Sequence, residues 1–250
     1  MKLNTILAAA AFVAVASPAS AATNLIVNGS FETGAAGAGA VPGWTKTNTP
    51  DGVPAQDQRA SVITYNNAAA YPLGAYGEAV TPDNTVSESP DGVGNKAAYF
   101  VGDFSNNETW SQLTYLGVGN YKVGFSYYLP QNGRNNTFDA RLDATILGVP
   151  VANTMITSSS VAKVWYHASG VAQITVAGHY LTSLVFNSYG RPAKDIVVDR
   201  VFGIRTNDDA TVVIPPNPTT VPEPESWALM LLGFGMLGVT MRRRQSMVAA

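Results

Sequence analysis

The sequence predicts an all-β domain of the β-sandwich or jelly-roll class, flanked by two apolar segments that lie outside it. Three observations lead to this class. Charged residues make up only 13% of the 250 positions, whereas 23 Gly and 15 Pro residues are present, a composition typical of short strands joined by turns. Apolar and polar residues alternate over several short stretches. Turn residues, rather than amphipathic helical patterns, separate those stretches.

The clearest strand pattern runs from Phe138 to Ile146, where apolar residues occupy every second position. Residues 121–127 alternate in the same way, with Tyr, Val and Phe as the apolar set. The segment from Thr45 to Val93 has Pro, Gly, Asn or Asp every few residues and is predicted to hold loops and short edge strands. Further strands are predicted at the start of segment 24–32 and at 96–101, 110–116, 163–168, 172–177, 181–187 and 196–204.

The N-terminus has the pattern of an export signal. Lys2 precedes an apolar, Ala-rich run from Leu3 to Ala16, and Ala19 and Ala21 supply the small residues that a signal peptidase accepts. We expect cleavage after Ala21, so that residues 1–21 form a signal peptide. The alternative is an N-terminal helix buried in the domain.

The C-terminus combines three features in order. A Pro-rich linker at 214–221 is expected to be extended. The apolar segment 226–241 would span roughly 24 Å as a helix, slightly short of a bilayer core of about 30 Å. A basic cluster follows, which stays cytoplasmic and places the large domain on the outer side of the membrane. The residues that carry the pattern are Pro222, Glu223, Pro224, Trp227, Ala228, Arg242, Arg243 and Arg244.

This tail resembles the PEP-CTERM sorting signal in its PEPxxWA subtype. The resemblance implies that an exosortase recognises the tail and removes it near the motif. It also implies an inner-membrane-anchored precursor with its domain on the periplasmic side, and a final place at the cell surface or in the extracellular matrix. The predicted organisation is a signal peptide (1–21), a β-sandwich (22–213), a linker (214–221) and a sorting signal (222–245). A simple C-terminal membrane anchor is the alternative, with the same topology.

The middle of the chain resembles galactose-binding-like jelly rolls, the fold of many carbohydrate-binding modules. The opening segment 24–32 is similar to their first strand, and Asp195–Phe202 is similar to their last. An aromatic strand at 121–129 and the pair Trp165–Tyr166 lie between them in the expected order. The resemblance implies a galactose-binding-like jelly roll and, as an alternative function, recognition of exopolysaccharide.

The same resemblance implies a structural calcium ion held by Glu32 and Asp199. Carboxylate oxygens are the ligands that calcium prefers. Arg200 stands where such relatives have a second acidic residue. The alternative is that Glu32 lies in a surface turn and that Asp199 pairs with Arg200 or Arg205.

Four aromatic residues are candidates for glycan contacts, because aromatic rings stack on the apolar faces of sugars. Tyr65, Tyr71 and Tyr76 lie in the loop-rich segment, where binding residues are frequent, and Trp44 lies just before it. The alternative for each is packing in the core.

Composition and motifs argue against several other functions. Between the two ends the chain has 11 basic and 15 acidic residues, with the basic ones scattered, which argues against nucleic acid. The chain has no cysteine, and His167 and His179 are not in a metal-binding spacing. No G-x-S-x-G nucleophile motif is present, and Arg141 lies between Asp139 and Asp143 on one predicted strand face.

The sequence therefore predicts a non-enzymatic surface or matrix protein. Its expected partners are signal peptidase and exosortase during export, and the membrane through the C-terminal segment. A carbohydrate-binding module for exopolysaccharide is the first alternative, and a polysaccharide-degrading enzyme is the second.

Overall fold

The computed structural model describes residues 22–50, 60–67, 71–72, 75, 78–84, 86–131 and 133–214. Strands dominate this part of the chain, and a 3-10 turn, Gly133–Asn135, joins two of them. The strands are β1 Thr45–Pro50, β2 Ser61–Thr64, β3 Lys96–Phe100, β4 Ser105–Leu116, β5 Gly119–Tyr128, β6 Ala140–Ile146, β7 Val149–Ile156, β8 Trp165–Ile174, β9 Gly178–Asn187, β10 Ile196–Thr206 and β11 Val212–Ile214.

These strands form two sheets that face each other. The five-stranded sheet has the order β1-β4-β9-β6-β7, and the six-stranded sheet has the order β11-β8-β5-β10-β3-β2. The pairings are antiparallel apart from the parallel pair of β11 and β8. The prediction of an all-β sandwich is therefore confirmed.

The main core lies between the sheets and follows the period of two. In β6, Leu142 and its alternate neighbours are buried, while the residues between them are half-buried on the outer side. Trp110, Phe125, Leu184 and Val198 come from four other strands and are at most 1% exposed. Strand alternation places these side chains on the inner faces of the two sheets, where burial of their apolar surface stabilises the fold.

A second apolar cluster covers much of the outer face of the six-stranded sheet. Tyr128, Trp165 and Val197 point outward from that sheet and pack with Tyr65 and Val80 from the segment between β2 and β3. Strand β10 is consequently buried on both faces over its first eight residues. The five-stranded sheet is the one whose outer face is left open to solvent.

The opening segment differs from the predicted strand. Leu25 donates its amide to the carbonyl of Gly203, but the side chain of Asn24 replaces the next ladder bonds. Its amide donates to the Val201 carbonyl, and its oxygen accepts from the amides of Ile26 and Gly203. A side chain that bonds to nearby backbone in this way competes with a regular ladder.

The two predicted segments at 163–168 and 172–177 form one continuous strand, β8. Strand β7 was not predicted, and its Pro150 lies where the register with β6 shifts. This place suits proline, because a bulge does not require its missing N–H.

The predicted signal peptide, the linker from residue 215 and the sorting signal lie outside the described residues, so the predicted domain bounds stay predictions. Within the part of the chain that the structure does describe, no helix has the length and apolarity to span a bilayer.

Candidate functional site

An open cavity of about 460 Å³ lies at one end of the outer face of the five-stranded sheet. The loop after β9 forms one side of it, and the chain before β6 and strand β7 form the other. We call it the sheet-end cleft. Its lining residues are Phe138, Asp139, Met155, Ser188, Tyr189 and Arg191.

Tyr189 is presented by a tight turn. The amide of Arg191 donates to the carbonyl of Ser188, and Tyr189 and Gly190 have φ angles of 58° and 66°. Two successive residues of positive φ are typical of a type I′ turn. Glycine is favoured at the second of these two positions. The Asn187 side chain accepts the Tyr189 amide at 2.7 Å. The Tyr189 side chain therefore lies at the tip of the turn, where the residue is 47% exposed.

Phe138 forms the opposite side of the cleft. Its amide donates to the carbonyl of Pro192, so the two sides of the cleft are joined by backbone. The guanidinium carbon of Arg191 lies 5.1 Å from the centre of the Phe138 ring, a cation–π contact. The Phe138 residue is nevertheless 39% exposed, which leaves part of its ring open to a ligand.

A buried lysine supports this side from beneath. Lys194 is 1% exposed, and its ammonium donates to the carbonyls of Asn136 and Phe138 at 3.0 and 3.2 Å. It also lies 3.2 Å from a carboxylate oxygen of Asp139, whose side chain is 46% exposed. A buried ammonium with all these partners fixes the segment that precedes β6.

The adjacent outer face of the sheet carries paired charges. Arg141 and Asp143 lie on one side of β6, with Nε 2.9 Å from the carboxylate. The hydrogen bond to Asp143, and then its charge, raise the pKa of Arg141. In the strand register Arg141 lies between Asn187 and Met155, so this row leads directly into the cleft.

Small hydroxyl side chains form one row further along the open face. This row consists of Thr45, Ser111, Ser183 and Thr145, which face one another across β1, β4, β9 and β6. The row that contains Asp143 and Val185 separates it from the row of Arg141 and Asn187. Hydroxyl side chains can donate and accept hydrogen bonds, so this row is a polar strip on the same face as the cleft.

The aromatic residues predicted to contact glycan lie elsewhere. Tyr65 and Trp44 are 6% and 8% exposed. Tyr65 donates to Asp199, and the Trp44 ring nitrogen donates to the Asn28 carbonyl. Neither ring offers a face to a sugar, so their positions give the glycan-contact prediction no support.

Tyr71 is half-buried against the ring of Tyr99, at 5.2 Å between centroids, and its hydroxyl accepts the Val80 amide. Burial raises its pKa. Tyr76 lies outside the described residues, and its predicted glycan contact stays a prediction.

The Glu32 carboxylate accepts hydrogen bonds from the backbone at the start of β3. One of its carboxylate oxygens accepts the amides of Asn95 and Lys96 at 2.9 and 2.8 Å. The Lys96 ammonium is close by and donates to the Glu32 carbonyl. Two backbone amides thus hold one oxygen of this carboxylate in place.

Asp199 is 1% exposed on β10, and both of its oxygens are engaged. One accepts the Arg200 amide and the other accepts the Tyr65 hydroxyl. Burial, with a smaller effect from the charge of Glu32, raises the pKa of Asp199 well above its usual range. The described residues contain no cluster of three or more acidic or histidine side chains suited to a metal. A calcium ion held by Glu32 and Asp199 stays a prediction.

The structure brings a serine, a histidine and an aspartate together, but not as a nucleophilic triad. Ser126 Oγ lies 2.9 Å from Nδ1 of His167, and Asp83 lies 3.8 Å from the same nitrogen. A triad needs the acid on one ring nitrogen and the hydroxyl on the other. Asp83 also pairs with Arg200 at 3.4 Å. This group ties the segment between β2 and β3 to the six-stranded sheet.

Tyr189 and Lys194 were not singled out from the sequence. A turn signal was present, since an aromatic residue precedes Gly190 within a polar stretch. Which side of the sandwich this turn faces depends on the strand order, which residue patterns do not show.

Residues 220–244 match the PEP-CTERM protein-sorting motif. The resemblance of the tail to this sorting signal is therefore confirmed. The signal indicates an exported protein that depends on an exosortase and is anchored at the membrane by its C-terminal region before processing. Comparison with curated proteins gives no match.

The sandwich also resembles solved structures of several kinds. TmCBM61 in complex with β-1,4-galactotriose is 16% identical with a TM-score of 0.43, over 74% of this chain and 99% of that chain. A cyclase from Fischerella sp. TAU is 15% identical with a TM-score of 0.47, over 76% and 100%. A protein described as sugar-binding from Bacteroides thetaiotaomicron VPI-5482 is 11% identical with a TM-score of 0.40, over 74% and 100%. Because a galactotriose complex and a cyclase show the same level of likeness, these structures do not decide what this chain binds.

Proposed function

We propose that the protein is an exported, non-enzymatic component of the cell surface or extracellular matrix that binds exopolysaccharide in the sheet-end cleft. One observation carries the proposal: two partly exposed aromatic residues, Phe138 and Tyr189, line a single cavity on the open face of the sandwich. Binding sites typically combine apolar ring faces with a few fixed polar groups, and this cavity has both.

The polar groups suit a sugar chain. Arg191, Asp139 and Ser188 line the cavity, and the ion pair of Arg141 and Asp143 lies in the strand rows beside it. Sugar hydroxyls both donate and accept hydrogen bonds, so a set that includes a carboxylate and a guanidinium can bond to several of them. The strip of small hydroxyl residues lies further along the same face, where a ligand with several sugar units could reach it.

Hydrogen bonds within the chain hold both sides of the cleft in place. A backbone hydrogen bond and the Asn187 side chain close the turn that carries Tyr189. On the other side, the Lys194 ammonium donates to the Phe138 carbonyl. A preformed site loses less conformational entropy on binding than a mobile loop would. The sorting signal supports this proposal, because it indicates an exported protein and exopolysaccharide lies outside the cell.

Affinity electrophoresis in gels that contain exopolysaccharide from the producing bacterium tests the proposal. We expect Tyr189→Ala and Phe138→Ala to weaken retardation by roughly 30-fold in dissociation constant each, since an aromatic anchor is worth about 2 kcal/mol. Tyr115→Ala is the matched control, because Tyr115 is also an exposed aromatic on the same sheet, at 62%.

Retardation that survives both cleft substitutions would contradict the site, and Tyr71→Ala and Tyr76→Ala would then test the loop-rich segment. Equal losses in the Tyr115→Ala control would indicate non-specific adsorption. Shorter products released from the polysaccharide during the assay would contradict the non-enzymatic part of the proposal.

A further inference from the structure

The described chain ends at the opposite end of the sandwich from the cleft. Ile214 of β11 pairs with Ile174 of β8, and Ile174 pairs with Gly119 of β5. The β6–β7 turn is there too, because a side chain built at Gly148 would lie 3.4 Å from Ile214 Cγ2. We call this the exit end, because the chain leaves it towards the sorting signal.

Several large apolar residues are exposed around the exit end. Leu113 and Leu181 face each other across β4 and β9, at 64% and 41% exposure. Tyr115 is 62% exposed one pair further along, beside His179 at 5.4 Å between ring centroids. Two adjoining turns add Val118 and Val176, at 56% and 46%. Together, Leu113, Tyr115, Val118, Val176 and Leu181 are the exit-end surface. An apolar group of this kind on an exported protein indicates a contact surface.

The charges at its rim are of both signs. Arg205 donates to the Val118 carbonyl at 3.0 Å, so an exposed guanidinium borders the apolar residues. Asp208 lies near Lys122, at 3.6 Å. Glu88 also pairs with Lys122, at 2.7 Å, so the nearby acidic groups have a cationic partner. Apolar and aromatic side chains beside a guanidinium suit a bilayer interface, where rings lie at headgroup depth and a guanidinium meets phosphate.

The short linker between the sandwich and the predicted membrane segment limits how far the exit-end surface can be from the bilayer. Eleven residues separate Ile214 from Ser226, where the predicted membrane segment begins. At about 3.1 Å per residue in a Pro-rich extended chain, the exit end stays within roughly 35 Å of the bilayer core. In the anchored precursor, the lipid surface is therefore within reach of these apolar residues.

We propose that the exit-end surface rests on the lipid headgroup region while the precursor is anchored. The contact orients the sandwich, so that the sheet-end cleft points away from the membrane towards the matrix. Binding of exopolysaccharide does not enter this proposal, which depends on the anchor and on the exit-end surface alone.

The absence of cysteine allows a direct test with single fluorescent labels. The chain from Ala22 to Ala250 is reconstituted in vesicles of phosphatidylethanolamine and phosphatidylglycerol with an environment-sensitive dye at Val118→Cys or, as control, at Tyr189→Cys. We expect spin-labelled lipid to quench the dye at position 118 at least two-fold more than at position 189. Substitution of Leu113 and Leu181 by Ser should lower quenching at 118 to the control level.

Both leucines are solvent-exposed on the outer side of a sheet, so the double variant should keep the fold, which circular dichroism checks. Equal quenching at positions 118 and 189 in the parent chain would overturn the proposal. A dye at 118 that is shielded from water but not quenched by lipid would also overturn it, and would indicate contact with a second copy of the chain. Polysaccharide retardation is measured separately, so failure of one proposal is distinguishable from failure of the other.

Discussion

Lys194 is the residue on which the shape of the sheet-end cleft depends most directly. Its ammonium is buried, yet it has two carbonyl partners and one carboxylate partner, Asp139. Removing this buried donor takes a hydrogen bond from the Asn136 carbonyl, while the Phe138 carbonyl keeps the bond from the Lys194 amide. The loss of a buried partner costs more than the net value of the bond itself. The Phe138 side of the cleft should therefore lose its fixed position when this ammonium is absent.

We expect Lys194→Met to lower the free energy of unfolding by about 1–3 kcal/mol and to weaken exopolysaccharide retardation. Methionine keeps the apolar stem and removes the donors. Urea denaturation and affinity electrophoresis give the two readouts. Lys163→Met is the control, since the Lys163 side chain is 61% exposed and pairs with Glu78 at 3.6 Å. A folded Lys194→Met variant with unchanged affinity would show that the ammonium does not position the cleft.

Asp195 predicts a pH dependence of stability. Its carboxylate accepts the Tyr99 hydroxyl and the Gly102 amide, both at 2.8 Å, and burial raises its pKa from 3.8 to about 7. The folded state thus holds a proton that the unfolded state releases between these values. The contribution of protonated Asp195 to the free energy of unfolding is complete below about pH 4. It is lost as the pH rises to about 7.

We expect Asp195→Asn to flatten the decline in unfolding free energy between pH 4 and pH 7. A full pKa unit corresponds to about 1.4 kcal/mol, so the effect is large enough for urea titrations at several pH values. Part of the slope should persist, because burial also raises the pKa of Asp199. An identical slope in the variant would place the titration at other groups.

At the scale of elements, alternation in the sequence predicted the strands whose two faces differ. Residues 140–146 did so because every second side chain packs in the core, and residues 121–127 did so although part of the other face is buried too. Phe138, which begins the alternating run in the sequence, lies before β6 and lines the cleft. Strand β7 escaped prediction because Pro150 and several polar residues interrupt its apolar pattern. The opening segment failed as a strand because Asn24 uses its side chain in place of ladder bonds.

Two glycines on neighbouring strands give an element-scale prediction. A methyl group at Gly124 would lie 2.6 Å from the Phe202 ring and 2.5 Å from the Ala168 carbonyl, whereas one at Gly170 would lie 4.0 Å from its nearest neighbour. We expect Gly124→Ala to lower the free energy of unfolding by about 1–3 kcal/mol, and Gly170→Ala to leave it unchanged or raise it by up to about 1 kcal/mol. Urea denaturation measures both, and similar effects would contradict the tight packing of β10 on β5.

At the scale of the whole molecule, the cleft and the chain exit lie at opposite ends of one sandwich. The tail was predictable from sequence because motif, apolar segment and basic cluster are contiguous. The cleft was not, since Phe138, Met155 and Tyr189 meet only through the order of β7, β6 and β9. Two of the aromatic residues chosen as glycan contacts, Tyr65 and Trp44, are buried instead.

Hydrogen exchange measured by mass spectrometry, with and without exopolysaccharide from the producing bacterium, tests the central claim most directly. We expect slower exchange of backbone amides at residues 138–141 and 187–191 in the presence of the polysaccharide. Residues 113–118, on the same sheet at the exit end, should be unaffected. Protection at 113–118, or in the loop-rich segment, without any at 138–141 and 187–191 would contradict the assignment of the cleft.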